Sequence, residues 1–349
     1  MLAEFSVIEG KYLGDILDQP LALEKTVASF TISPELERIS ARLQSGELKN
    51  VVLTGMGSSY HALHTLHLEL VDHGVQSVMV ETSELVYYQR RLFDPQTLVV
   101  AVSQSGQSAE VIRLLEINQH RSTIVAVTNT AESPLAKQAQ AAIVTQAGKE
   151  FSVSCKTYIA GLAALRWLAD LLCDSNMERS RDELTQVSEA VRQYLAAWND
   201  HVLSFANALG GIRSLFVVGR GSSLAAVGTG ALIIKESDRF PAEGLSCAAF
   251  RHGPFEMLSK ETFVLVLAGA ERTRDLNTRL VHDIRRENAL AELVAEDAPF
   301  APCRLPASAP SCQPILEILP VQMITLALAA RAGREAGKFE RATKITTVE

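Results

Sequence analysis

Short apolar runs that end in glycine or serine are the clearest pattern along the chain. They show little polar alternation, which is typical of parallel strands buried on both faces. Helical patterns begin at Ser59, Ser108 and Ser223, directly after three of these runs. Strand alternating with helix predicts βαβ units and a doubly wound parallel sheet, an α/β fold. The apolar runs cover residues 50–58, 97–107, 122–130, 214–222 and 262–270.

Two of the predicted strands end almost alike, in LTGMGSS at residues 53–59 and in VVGRGSS at residues 217–223. The distance between them predicts duplication of a whole domain rather than a short repeat. We therefore expect two tandem flavodoxin-like domains joined by a charged amphipathic helix. A charged helix is expected at 271–289, and a Pro-rich loop and strand edge at 299–320 before an apolar helix at 321–332. The predicted segments are an N-terminal helical segment at 1–44, a first domain at 45–175, a linker helix at 176–204, a second domain at 205–335 and a C-terminal tail at 336–349.

Composition narrows the class of protein. A length of 349 residues suits two domains, and a net charge of -7 argues against non-specific binding of nucleic acid. The five cysteines form no CxxC pair, which indicates neither a disulfide framework nor a zinc site and fits a reducing compartment. Neither a signal peptide nor an apolar stretch of membrane-spanning length is evident. We expect a cytoplasmic protein that binds no membrane.

The strongest candidate for binding chemistry is the serine-rich segment at residues 103–108, SQSGQS. It follows a predicted strand and precedes a helix, where free N–H groups and the positive helix end receive anions. The segment is neither a Walker A loop nor a GxGxxG motif. An ordinary turn, with Ser108 capping the next helix, is the alternative. The corresponding part of the second half, VLAGAERTRDL, lacks these serines, so we expect one phosphate site per chain, formed by Ser103, Gln104, Ser105 and Ser108 with Ser59 from the neighbouring strand end.

The sequence contains two further candidate sites, a set of three histidines and Cys155. His61, His64 and His67 recur every three residues on a predicted helix, a spacing that can ligate a metal but is more often structural. Cys155 has no His–Asp pair placed beside it by the sequence and is interpreted as a packing residue. We expect neither a metal nor any other cofactor.

Several motifs, in order over nearly the whole chain, resemble those of the sugar isomerase (SIS) family, and more closely the isomerase half of the glucosamine-6-phosphate synthases. They are DILDQP at 15–20, GMGSSY at 55–60, TSEL at 82–85, SQSGQSAE at 103–110, GKEFSV at 148–153, KES at 235–237, RHGP at 251–254 and KITTVE at 344–349. The resemblance implies two SIS domains, a small-molecule phosphosugar substrate and a homodimer.

The resemblance also implies roles for individual residues. Ser59, Ser103, Gln104, Ser105 and Ser108 match the phosphate-binding positions, and Val153 and Ser154 match backbone contacts to the sugar. Glu236 matches the carboxylate that moves a proton between C1 and C2. His252 matches a ring-opening histidine contributed by the partner subunit, and Lys344 matches a lysine that forms a Schiff base with the open-chain sugar. These roles suit general acid–base and imine chemistry.

Three departures from the family pattern bear on the reaction. The sequence shows no glutaminase domain, since Leu2 stands where such a domain needs a cysteine, so we expect no use of glutamine nitrogen. Ile233 stands where the synthases have a lysine, which argues against amine transfer. The segment GKEFSVSCKTY is one residue shorter than usual, which predicts a different sugar-facing loop.

These observations predict an isomerase or deaminase for an amino- or amine-linked hexose 6-phosphate, of the deaminase or deglycase type. Two alternatives stay open at the level of sequence. The first is a non-catalytic phosphosugar-binding regulatory module, and the second is a plain aldose–ketose isomerase.

Overall fold

Helices and parallel strands alternate along the protein, whose computed structural model describes residues 5–341 and 343–346. The strands are β1 Asn50–Gly55, β2 Ser77–Glu81, β3 Thr97–Val102, β4 Thr123–Thr128, β5 Ala141–Val144, β6 Ser214–Gly219, β7 Ala242–Ser246, β8 Thr262–Leu267 and β9 Leu290–Val294. The helices are α1 Lys11–Leu17, α2 Gln19–Ser29, α3 Pro34–Gln44, α4 Gly57–Asp72, α5 Thr82–Tyr88, α6 Ala109–Asn118, α7 Pro134–Gln138, α8 Lys156–Leu172, α9 Met177–Leu195, α10 Trp198–Ala208, α11 Leu224–Asp238, α12 Cys247–Arg251, α13 Glu271–Arg286 and α14 Gln313–Ala332.

The chain forms two compact units. The first unit contains residues 21–149, 156–185 and the described tail residues 343–346, and the second contains residues 5–20, 150–155 and 186–341. Each unit is built from separate stretches of sequence. The segments proposed from the sequence, with limits at 45, 175, 205 and 335, stay a prediction.

The first unit holds a five-stranded parallel sheet in the order β2-β1-β3-β4-β5. After β1 the chain turns to β2 on one side, and β3 then continues on the other side. The ends of β1 and β3 are therefore the point at which strand order reverses, where doubly wound sheets bind ligands. Gly55 at the end of β1 pairs with Val102 at the end of β3, so the loops after both strands start side by side.

The second unit holds a four-stranded parallel sheet in the order β7-β6-β8-β9. This order repeats that of the first sheet without its fifth strand, so β6 corresponds to β1 and β8 to β3. The predicted α/β fold with two parallel sheets is confirmed. The repeated strand order supports the duplication that the two glycine-serine motifs predict.

Burial explains why the central strands are uniformly apolar. Every residue of β3, β4 and β8 is buried, because helices cover both faces of the sheet. On one face of the first sheet the core includes Val52, Val99 and Ala126, packed with Leu114 of α6. On one face of the second it includes Phe216, Val264 and Ile284.

The long helix α14 differs from the sequence prediction, because it begins at Gln313 rather than at residue 321. Pro314 lies in its first turn, where the missing N–H costs nothing, and Pro320 is accommodated inside the helix. By length and composition the segment Pro310–Ala332 could cross a membrane, but 89% of it is buried in the protein. It packs against α10 and α11, which is the environment of a core helix.

Candidate active site

The serine-rich segment forms the connection between β3 and α6, and its backbone is held on several sides. The carbonyl of Gln104 accepts hydrogen bonds from the Asn129 amide at 3.0 Å and from the Thr128 hydroxyl at 3.2 Å. The carbonyl of Gly106 accepts one from the Leu135 amide at 3.1 Å. These contacts come from the last residue of β4 and from the chain that follows it, and they hold the backbone of the loop in place.

Gly106 is required at this turn by both conformation and space. Its φ is +63°, in the left-handed region that side chains with a Cβ rarely adopt. A Cβ at this position would lie 2.2 Å from the Ser133 hydroxyl oxygen. The loop therefore closes tightly on the N-terminus of α7, which Ser133 caps.

The hydroxyl groups of the loop are placed to donate to an anion. Ser103 Oγ accepts a hydrogen bond from the Gly106 amide at 3.1 Å, and Ser105 Oγ accepts one from the Gln107 amide at 3.4 Å. Each oxygen thus accepts from the loop, while its own O–H remains a donor for another group. Ser108 precedes α6, but its side chain does not cap the helix. This geometry favours the anion-binding interpretation over an ordinary capping turn.

Ser59 lies at the neighbouring strand end, in the first turn of α4. The amide of Ser59 donates to the Met56 carbonyl at 3.1 Å. A Cβ at Gly55 would lie 3.0 Å from both the α4 backbone and the Val102 carbonyl, so helix α4 starts close to the end of β3. Ser59 and the serine-rich loop therefore belong to the same edge of the first sheet.

The C-terminal tail of the chain meets the end of the serine-rich segment within the first unit. The amide of Ala109, the first residue of α6, donates to the carbonyl of Thr346 at 3.2 Å. Lys344, two residues earlier, is partly buried. The last three residues of the KITTVE motif, 347–349, lie outside the described residues. The structure thus brings the tail that carries Lys344 to the helix start next to Ser108.

Glu236 lies near the C-terminal end of α11 in the second unit and is partly exposed. Ser237, the next residue, accepts a hydrogen bond from the Gly337 amide at 3.0 Å. The carbonyl of Gly337 in turn accepts from the Ser152 hydroxyl. This chain of contacts ties the helix of Glu236 to the loop that carries Val153 and Ser154.

The loop of residues 150–155 is anchored by acidic side chains of the second unit. Asp15 accepts a hydrogen bond from the Phe151 amide at 2.6 Å, and Glu150 accepts one from the Cys155 amide at 2.9 Å. Val153 is fully buried, whereas Ser154 is partly exposed. Cys155 is buried, in agreement with its interpretation as a packing residue.

His252 follows the short helix α12 and is exposed. The position of α12 is fixed by Phe250, which is fully buried and contacts Phe216 and Phe255 edge to face. Arg251 pairs with Asp283 at 2.5 Å. The His252 imidazole is therefore exposed to solvent, on a segment that these contacts hold in place.

The sequence interpretation missed a buried acidic residue in this region, Asp238 at the end of α11. It is only 2% exposed. Burial raises the pKa of Asp238 well above its usual range, and Arg334 partly opposes the shift. An acidic residue two positions after Glu236 in KESD was the only sequence signal.

Three histidines, His61, His64 and His67, lie on α4. Burial, then repulsion from His61 and His67, lowers the pKa of His64 to about 4. His67 Nδ1 lies 2.8 Å from the Ser77 hydroxyl. Among the described residues, no group of three or more His, Cys, Asp or Glu side chains is arranged to hold a metal ion.

Comparison with protein families agrees with this geometry. Residues 47–171 match the SIS domain model, a range that includes β1, the serine-rich loop and most of α8. The chain contains a SIS domain. Over 97% of its length, this chain is 27% identical to the glutamine–fructose-6-phosphate aminotransferase (isomerizing) of Thermococcus kodakarensis. It spans 58% of that relative, and the homology is to the isomerase half of the enzyme.

Solved structures show the same SIS fold over nearly the full chain. The C-terminal domain of glucosamine–fructose-6-phosphate aminotransferase from Francisella tularensis superposes with a TM-score of 0.81 at 19% identity, covering 96% of this chain and 99% of that one. Glucosamine-6-phosphate deaminase from Thermotoga maritima superposes with a TM-score of 0.80 at 20% identity, covering 97% and 100%. At these identities the similarity establishes the fold.

Proposed function

We propose that the protein is a phosphosugar isomerase/deaminase that acts on an amino- or amine-linked hexose 6-phosphate. The observation that carries the proposal is the hydrogen bond from Ala109 to Thr346, because it brings the tail of Lys344 to the phosphate loop. A loop that only sensed phosphate would need no lysine-bearing tail beside it. The serine hydroxyls of the loop supply the donors that a phosphate requires.

In the proposed reaction, His252 opens the sugar ring by acid–base catalysis and Lys344 activates the carbonyl group. Glu236 removes the proton from C2 of the open-chain amino aldose and returns it to C1. The product is a ketose imine, which water hydrolyses to ketose 6-phosphate and free amine. Atoms and electrons balance with water as the only co-reactant.

Release of the amine, rather than its transfer, is the direction we propose. Ile233 is fully buried in α11, three residues before Glu236, where the resemblance would place a lysine. An apolar side chain at that position supplies no cation for a transfer reaction. The protein would act in the cytoplasm, in keeping with five cysteines that are all free and mostly buried. We also propose that it works as a homodimer, with His252 serving the active site of the partner.

The test is a turnover assay with glucosamine 6-phosphate and with hexose 6-phosphates linked to amino acids. Released ammonia or amine is measured together with the sugar phosphate product, which is a ketose when the amine is at C2 and an aldose when it is at C1. Glu236→Gln should lower kcat by about 10²–10⁴-fold while hexose phosphate binding persists. Glu243→Gln, on the exposed part of β7, is the matched control and should keep full activity. Absence of turnover on every phosphosugar, or full activity of Glu236→Gln, would overturn the proposal. Ketose phosphate without amine would indicate a plain isomerase.

A further inference from the structure

The side chain of Glu317 fills the ligand-binding edge of the second sheet. Glu317 lies in the second turn of α14 and is fully buried. Its Oε1 accepts a hydrogen bond from the Ser223 hydroxyl at 2.9 Å. Ser223 follows β6 as Ser59 follows β1, and a Cβ at Gly269, just after β8, would lie 3.1 Å from Ser223 Oγ. The carboxyl group therefore lies where the order of the second sheet reverses.

At this edge the two units differ in the length of the loop and in the hydroxyl groups that it carries. In the first unit, residues 103–108 join β3 to α6 and carry three serines. In the second, only residues 268–270 join β8 to α13, and their side chains carry no hydroxyl group. Helix α8 packs on α4 as α14 packs on α11. Its first acidic residue is Asp170, far from its start, so α8 brings no carboxylate to the first edge.

Two hydrogen-bond donors lie beside the buried carboxyl group of Glu317. The Ser223 hydroxyl and the Gly269 amide stabilise its charged form, while burial raises its pKa to about 7. Its second oxygen, Oε2, is buried without a hydrogen-bond partner in the described structure. A buried, half-satisfied carboxylate is costly in a core helix. The position of Glu317 beside two hydrogen-bond donors at the sheet edge indicates that this side chain has a specific role there.

We propose that Glu317 is the built-in occupant of a carboxyl-binding position in the second unit, which binds a small carboxylic acid, as acid or as anion, once this side chain is removed. The proposal goes beyond the proposed function, since the reaction does not use Glu317. It explains why a duplicated sheet leaves one phosphate site per chain rather than two.

Acetate is the probe, because it contains the same heavy atoms that Glu317→Ala removes. The full-length variant is heated with acetate up to about 0.5 M, with sodium chloride at equal ionic strength as reference. We expect acetate to raise the Tm of Glu317→Ala by a few degrees, roughly 2–4 °C, beyond its effect on the wild type. Gly269 is partly exposed, so acetate has a route to the site.

Two variants show whether the response belongs to this site. Adding Ser223→Ala to Glu317→Ala should abolish it, because the hydroxyl donor is lost. Met323→Ala, which opens a cavity at another fully buried position of the same helix, should show no acetate response. An equal response in Met323→Ala, or none in a folded Glu317→Ala protein, would overturn the proposal.

A second measurement decides the matter if Glu317→Ala does not fold. Ser223→Ala should lower the Tm of the wild type, but not that of Glu317→Met, which fills the space without an oxygen. Equal lowering in both backgrounds would contradict a Ser223–carboxylate interaction. Turnover in the same proteins separates this inference from the proposed function, since an acetate result of either kind leaves the reaction at Glu236 untouched.

Discussion

At the scale of single residues, the hydroxyl group of Ser105 determines how strongly the proposed phosphate loop would bind its ligand. Ser105 is buried at 8% exposure and accepts from the Gln107 amide, so its hydroxyl hydrogen has few directions available. A ligand oxygen beside the loop would meet a donor already oriented by the backbone. Such preorganisation strengthens a hydrogen bond to an anion, because little reorganisation is needed on binding.

Ser105→Ala should weaken hexose phosphate binding. A hydrogen bond to a charged group contributes about 1.5–3 kcal/mol, so KM should rise about 10- to 100-fold. Because the phosphate is remote from C1 and C2, kcat should change much less. Steady-state kinetics of the variant and of Ser45→Ala, an exposed serine of the same unit, provide the comparison. An unchanged KM would show that the loop does not hold the phosphate.

Glu317 should make the free energy of unfolding depend on pH. Burial raises its folded pKa from 4.5 to about 7, so its protonated form is favoured in the folded protein. The stability it contributes is fully present below about pH 4.5 and is lost as pH rises towards 7. The Glu317→Gln variant lacks this loss. Over that pH window its free energy of unfolding should therefore increase by up to about 3 kcal/mol relative to that of the wild type. Urea unfolding at several pH values, with Glu243→Gln as the exposed control, measures the difference. Parallel pH profiles for the wild type and Glu317→Gln would contradict it.

At the scale of elements, the start of α6 connects phosphate binding to the tail. Ala109 is the first helical residue, and its amide is satisfied by Thr346 rather than by a side-chain cap. Because Ser108 has ψ of 160°, an extended value, the position accepts proline without distortion. A proline there removes one donor and leaves the helix intact.

Ala109→Pro should therefore release the tail without unfolding the protein. The loss of one hydrogen bond, about 1 kcal/mol, should raise the rate of trypsin cleavage after Lys344 roughly fivefold. We also expect lower kcat, since Lys344 would be held less firmly. Mass spectrometry of timed digests measures the cleavage rate. Ala109→Ser, which keeps the amide, serves as the control, and equal rates for the two variants would refute the role of this contact.

The sequence predicted the central elements well because their patterns have one dominant cause. Strands β1, β3, β4, β6 and β8 coincide with the apolar runs, since burial on both faces selects apolar residues throughout. The strand β2 was not predicted, because it lies at the edge of its sheet and is mostly partly or fully exposed. The start of α14 was missed because Pro314 and Pro320 indicate a loop unless the surrounding core is known.

The site could be predicted only in part for a related reason. Ser103 and Ser105 lie in one contiguous segment, so the sequence motif alone indicates that they act together. Glu317 acts with Ser223, far from it in sequence, and a single glutamate in an apolar segment carries no pattern of its own. The hydrogen-bonded path from Ser152 through Gly337 to Ser237 likewise depends on tertiary structure. A sequence motif predicts residues that act together locally, whereas pairs that are distant in sequence can be recognised only from the three-dimensional structure.

At the scale of the whole molecule, the two sheets share a strand order but differ in the loops at their switch points. Both keep the strand order around the switch point, but only the first retains an open serine loop there. In the second, Glu317 closes the corresponding position, and the residues proposed for chemistry, Glu236 and His252, lie elsewhere on the unit.

The proposed homodimer makes a strict prediction about mixed subunits. If His252 serves the partner's active site, a heterodimer of Glu236→Gln and His252→Ala subunits has one site that lacks both groups and one that is complete. Co-expression with two different tags, followed by tandem purification, isolates that species. It should show about half of the wild-type activity, because a two-fold dimer holds two equivalent sites. Each parent homodimer should be nearly inactive. A heterodimer as inactive as its parents would place His252 in the active site of its own chain.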